Sequence, residues 1–136
     1  MAETEKYAPM LAILARYNPV AVYLFGSRAQ GSARADSDID LALLLPDDCS
    51  LPATERIDLI ARLEELAGRR VDLVLLNRAP LPLQFEIIHT GIVLYESSFD
   101  ARTDFEDIVV RDYLDLSPML ERSRQEIMEE AARGVA

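Results

Sequence analysis

Two apolar runs of strand length, Ile39–Leu45 and Arg70–Leu76, flank an amphipathic helical stretch, and that succession admits few folds. The first run is closed by Pro46, a residue that cannot continue a sheet ladder. Between the runs Ile57, Ile60, Leu63 and Leu66 recur every three residues, joined by Leu59, with Ser50 as the expected cap and Gly68 as the stop. A strand, a crossover helix and a second strand pair in parallel and begin at the same edge of a sheet.

The rest of the chain alternates in the same way. Glu3–Tyr17 reads as a helix ended by Asn18 and Pro19, Val20–Phe25 as a buried strand, Pro82–Thr90 as a short helix and Gly91–Glu96 as a fourth strand. Roughly a dozen residues join Phe25 to Ile39, short for a parallel crossover, so those two strands are expected to be antiparallel. The expected class is α/β (α+β): a mixed sheet of about four strands flanked by helices. From Asp100 the tail carries Phe105, Ile108, Val109, Tyr113, Leu116 and Leu120 at helical spacing, interrupted at Ser117 and Pro118, which makes it one kinked helix or two short ones. Most of that stripe is expected to pack on the core. Residues 1–97 are expected to form the core and 98–136 a helical extension packed on the core or on a partner.

Composition limits what such a domain can do. A chain of 136 residues, half of them hydrophobic, suffices for one compact unit. With 14 Lys and Arg against 24 Asp and Glu the net charge is −10, which argues against a broad grip on nucleic acid. The opening MAETEKYAPM is acidic where a signal peptide is basic, and no apolar run approaches the roughly 20 residues needed to cross a bilayer, so a soluble, cytoplasmic protein is expected. The single cysteine, Cys49, provides neither a disulfide framework nor a multi-cysteine zinc site.

Against this frame the aspartates are conspicuous. Asp36, Asp38 and Asp40 occupy alternate positions, and on a strand Asp38 and Asp40 project to one side. Two carboxylates that close repel unless a cation lies between them, and a hard divalent ion such as Mg²⁺ is the natural one. Asp72 starts the strand after the crossover, so it should reach the same edge; the plainer reading of Asp72 is an edge residue paired with Arg69 or Arg70. An antiparallel first strand brings Gly26–Ser32, GSRAQGS, beside these carboxylates, with glycines that admit an anion close to backbone N–H groups and hydroxyls on Ser27 and Ser32. A calcium loop counted from Asp36 fails, because its sixth position is Leu41 rather than Gly and its twelfth is Asp47 rather than Glu. His89, the one histidine, is read as a helix-end residue.

Gly26, Ser27, ten residues, then Asp38-x-Asp40, with Asp72 on a later strand, resembles the signature of the DNA polymerase beta-type nucleotidyltransferase superfamily, in particular the minimal nucleotidyltransferases of prokaryotes. The resemblance covers roughly residues 20–96. It implies ATP as substrate and transfer of AMP to a hydroxyl, with pyrophosphate leaving. It implies Asp38, Asp40 and Asp72 as catalytic residues holding two Mg²⁺ ions, and Gly26, Ser27, Arg28, Arg34 and Ser37 as nucleotide-binding residues, the arginines offering countercharge. It also implies a partner, since the minimal family is commonly paired with a HEPN-domain ribonuclease whose tyrosine receives AMP in a toxin–antitoxin system. The alternatives are a small-molecule hydroxyl, such as that of an aminoglycoside, and an antitoxin that neutralises by contact alone.

Overall fold

The computed structural model describes residues 5–34 and 36–134, so the expected helix start at Glu3 lies outside the described residues. Helix α1 spans Ala8–Leu14, with Pro9 in its first turn where a missing N–H costs nothing, and continues as a short 3-10 turn, Ala15–Tyr17. Asn18, at φ 49°, ends it in the left-handed conformation. Strand β1 (Ala21–Phe25) follows, then a single helical turn α2 (Ser27–Gln30), β2 (Ile39–Leu44), α3 (Ala53–Ala67), β3 (Val71–Leu75), a 3-10 turn Leu76–Arg78, α4 (Leu81–Thr90), β4 (Ile92–Glu96) and the long α5 (Phe99–Gly134). Ser50 is not the cap of α3: Pro52 holds that position with no side-chain hydrogen bond, its fixed φ leading directly into the first turn, whereas Gly68 at φ 68° does end the helix. Helix α5 runs through Pro118 without a break, the single-helix outcome of the two expected for the tail.

The four strands form one mixed sheet in the order β3-β2-β1-β4. β2 pairs with β3 in parallel, as the crossover through α3 requires, and β1 pairs with both β2 and β4 antiparallel. The central strands are buried on both faces, which is why Ala21–Phe25 and Leu41–Leu44 read as unbroken apolar runs. One face, carrying Val22, Leu24, Leu41, Leu43, Val71 and Leu73, packs on Met10 and Leu14 of α1 and on Leu59 and Leu63 of α3. The other, carrying Ala21, Tyr23, Ala42 and Leu44, packs on Ile87 of α4 and Phe105 of α5. Each fully buried Leu or Ile here contributes about 1.5–3 kcal/mol relative to exposure.

A polar group ties α5 to the second face. Tyr23 is buried, and its hydroxyl donates to Glu106 Oε2 at 2.6 Å. Arg102 donates to the same carboxylate at 2.8 Å and also to Glu96 at the end of β4. Burial, then the hydrogen bond to Glu106 and its charge, hold the Tyr23 phenol far above its ordinary pKa, so it remains a neutral donor. Glu106→Ala strands that hydroxyl and removes a partner from Arg102, with an expected loss of about 1–3 kcal/mol. Tyr23→Phe deletes the hydroxyl itself and should cost less; urea denaturation of the two variants checks the order.

Candidate active site

The alternation that buries Ala42 and Leu44 places Asp40 two residues earlier on the same face, beyond the end of the core. There it faces Phe25, the last residue of β1, on one side and Asp72, in the parallel register, on the other. Asp38 immediately precedes β2. The β2–α3–β3 crossover thus brings the carboxylates of two strands to one sheet edge, as parallel pairing dictates.

The electrostatics show how close they are. Burial, followed by the charge of Asp72, a hydrogen bond shared with it and the charge of Asp38, pushes the Asp40 carboxyl from 3.8 up to about 6, and Arg28 opposes the shift. Asp38 and Asp72 are exposed. Asp72 lies 3.9 Å from Arg70 Nε, the plainer pairing for this residue, but both side chains are mostly solvated and such a pair is worth little. Among the described residues no three acidic, His or Cys side chains already surround a space for an ion. The donor set nevertheless suits a hard divalent cation: oxygen ligands only and mutually repelling, with Asp38 and Asp72 solvent-exposed and Asp72 already within reach of Asp40.

Gly26 closes the site from the β1 side. Its φ of 75° and ψ of −155° lie in a region open essentially to glycine alone. A Cβ there would overlap Asp40 Oδ2 and sit 3.1 Å from Asp40 Cγ. The backbone after β1 therefore lies directly against the carboxylate. Ser27 opens the α2 turn, whose return to Gly31 at φ 76° is held by Ser32 N–H donating to the Ser27 carbonyl at 3.0 Å and by the Ser32 hydroxyl reaching the same carbonyl at 3.5 Å.

The remaining expected nucleotide-binding residues divide by role. Arg28 Nη2 donates to the Ser37 carbonyl at 2.7 Å and its Nε to the Asp38 carbonyl at 3.2 Å, so its fork grips the backbone that presents Asp38. Ser37 Oγ accepts from Arg34 N–H at 2.8 Å, while Ser37 N–H donates to the Arg34 carbonyl at 3.0 Å, closing a turn around the segment. The Arg34 side chain is exposed. His89 lies in the last turn of α4, stacked on Phe85 with centroids 5.5 Å apart, the helix-end position expected of it.

Sequence reading missed a cationic cleft. Lys6, Arg28 and Arg69, together with Tyr7 and Ile39, line a cavity of about 360 Å³ on the α1–α3 face at this same edge. The three cations come from separate segments and carry no local pattern. A larger cavity, about 510 Å³, opens at the opposite end of β3 between Arg56 and Arg78, away from the carboxylates.

The model of the family described as Polymerase beta, Nucleotidyltransferase matches residues 10–100. Protein adenylyltransferase MntA of Shewanella oneidensis is 29% identical over 115 residues, spanning 85% of this chain and 78% of that protein. A crystal structure of a toxin–antitoxin with AMP-PNP contains a chain 27% identical, with a TM-score of 0.70, covering 95% of this chain and 98% of its own. The structure of a tri-AMPylated Shewanella oneidensis HEPN toxin in complex with MNT antitoxin contains a chain 23% identical with a TM-score of 0.76, covering 93% of this chain and 98% of its own, a likeness of fold. No helix among the described residues is long and apolar enough to cross a membrane. With the family match at residues 10–100 spanning more than half of the chain and taking in Gly26, Asp38, Asp40 and Asp72, this protein belongs to the polymerase beta-type nucleotidyltransferase family.

Proposed function

We propose that this protein transfers AMP from ATP to a hydroxyl, in a tyrosine, of a HEPN-type ribonuclease toxin, and acts as its antitoxin. The observation that carries the reading is the convergence of Asp38, Asp40 and Asp72 at one sheet edge, with the Gly26 backbone packed against Asp40. The likeness to MntA over most of both chains, at 29% identity, supports AMP as the transferred group and a protein as the acceptor.

In the reaction the acceptor oxygen attacks the α-phosphorus while the bond to the oxygen bridging to the β-phosphate breaks. Pyrophosphate leaves, and the hydroxyl proton passes to solvent. Asp38, Asp40 and Asp72 would hold two Mg²⁺ ions. When bound, such ions supply Lewis-acid stabilisation of phosphate charge and acidify an attacking hydroxyl. Gly26 and Ser27 offer backbone N–H and hydroxyl donors to the β- and γ-phosphates, while Arg34 offers an exposed guanidinium and Arg28 fixes the Ser37–Asp38 backbone. The net charge of −10 favours a protein whose own surface is cationic, as a ribonuclease surface must be to hold RNA.

An antitoxin acting by contact alone would have no use for a carboxylate pushed up to about 6 by burial and then by Asp72 and Asp38, since a half-buried cluster of like charge is costly to keep. The test is intact-mass analysis of a HEPN-type ribonuclease toxin after incubation with this protein, ATP and Mg²⁺. Addition of one or more AMP units, absent with Asp38→Asn, is expected; an unmodified toxin that is nonetheless inhibited would replace enzymatic with contact neutralisation.

A further inference from the structure

The second half of α5 has none of its own chain beneath it. In the first half Phe105, Val109, Tyr113 and Leu116 share one helix face and meet the core: Phe105 joins the Ala21–Tyr23 cluster, Val109 is buried, Tyr113 stacks on Phe85 at 4.0 Å and Leu116 is half-buried. The same face continues at Leu120, Ile127 and Ala131, yet every residue of 118–133 is exposed, Ile127 at 66%. At 1.5 Å per residue that is roughly 24 Å of helix with an uncovered apolar stripe.

The direction of the helix gives the stripe meaning. Helix α5 starts at the edge opposite the carboxylates, where Arg102 holds Glu96 and Glu96 faces Ala21. It passes Tyr23 at Glu106 and reaches Phe85 at Tyr113. α4, which carries Phe85, itself runs toward the carboxylate edge, because it joins the end of β3 to the start of β4. The uncovered half of α5 is therefore carried toward the edge where Asp40 and Asp72 lie, on the sheet face that presents them.

We infer that this exposed half of α5 is a docking arm for the acceptor-bearing protein, holding it so that its hydroxyl meets the carboxylate edge; the inference rests on the proposed transfer to a protein acceptor. A second copy of this chain is a poorer occupant. Arg124 and Ser123 interrupt the stripe between Leu120 and Ile127, too few large apolar side chains for a self-paired helix, and pairing would bring together two chains of charge −10. A cationic partner with an apolar helical groove fits both the stripe and the charge. The toxin–antitoxin chain that is 27% identical matches over 95% of this protein, a coverage too large to leave out more than part of the arm. A stripe this narrow buries less than the roughly 800 Å² per partner of a stable interface, so the arm acts together with the surface around the site.

The test is the double variant Leu120→Glu, Ile127→Glu, both positions exposed and so compatible with folding, with Ile57→Glu on α3, as exposed as Ile127, as the control. Binding to a HEPN-type toxin is measured by calorimetry, and pyrophosphate release is measured against toxin and ATP concentration. The expected result is at least tenfold weaker binding and a tenfold higher KM for the toxin, with kcat and the KM for ATP within twofold and Ile57→Glu unchanged. Wild-type transfer with an unaltered toxin KM in the double variant overturns the arm and leaves the transfer reading standing. Wild-type binding without transfer, lost in the double variant, keeps the arm and removes the transfer reading. A wild-type dimer that the double variant dissolves, with toxin binding unchanged, assigns the stripe to self-association and overturns the proposal.

Discussion

Asp40→Asn is expected to abolish AMP transfer, by at least about a thousandfold, and at the same time to raise the thermal midpoint of the metal-free protein at pH 7.5 by roughly 3–8 °C. The two effects share one cause. Asp40 is held at about 6 against 3.8 for a free carboxyl, first by burial and then by Asp72 and Asp38. Below pH 4 the group is protonated whether the chain is folded or not, and it costs nothing. Between the two values the unfolded chain has given up the proton while the folded chain retains it, so stability falls as pH rises, and above about 6 the full penalty is present. Fully exerted, that penalty would be about 3 kcal/mol; solvent screening at this half-exposed site leaves about 1–2 kcal/mol. The gain in Asp40→Asn should therefore vanish near pH 4. A thermal scan of both proteins at pH 4 and pH 7.5, with chelator present, checks it. Equal midpoints at pH 7.5 would mean that the carboxylates do not strain the fold.

Gly26→Ala is expected to reduce transfer at least a hundredfold while costing about 1–3 kcal/mol of stability. The backbone angles at Gly26 suit glycine alone, and the added methyl would occupy the position of the Asp40 carboxylate oxygen. Because that oxygen ends a short side chain, the methyl is accommodated by turning the carboxylate away, which is the outcome that removes activity. Gly31 provides the comparison: its φ is 76°, yet nothing lies within 4 Å of a Cβ there. Gly31→Ala should cost about 1–2 kcal/mol with activity within threefold of wild type. Steady-state pyrophosphate release and urea denaturation of the two variants separate backbone strain, common to both, from displacement of Asp40, peculiar to one.

How much of this was readable from the chain depends on how far apart the partners lie. The β2–α3–β3 unit and the antiparallel β1 were legible because parallel pairing needs a long crossover and a dozen residues cannot supply one. That same logic brought Asp72 to Asp40 across 32 residues, since a crossover fixes which ends meet. Local details set by backbone geometry were not legible: the single turn α2, the Pro52 rather than Ser50 start of α3, and the fork by which Arg28 grips the Ser37 and Asp38 carbonyls. An arginine in a loop announces charge, not the carbonyl it will hold. Tyr23 and Glu106 meet across 83 positions with no sequence pattern linking them. At Ser117 and Pro118 sequence left two outcomes open, because proline forfeits one hydrogen bond but, as the observed helix shows, need not end the element.

The central claim, that this carboxylate edge moves an adenylyl group onto the toxin, is tested most directly by label position. The toxin is incubated with this protein, Mg²⁺ and ATP labelled at either the α- or the γ-phosphate, beside the Asp40→Asn variant. The toxin is expected to be labelled from α-labelled ATP only, with no label from the variant. Label arriving from the γ-phosphate, or α-label persisting with Asp40→Asn, would contradict it.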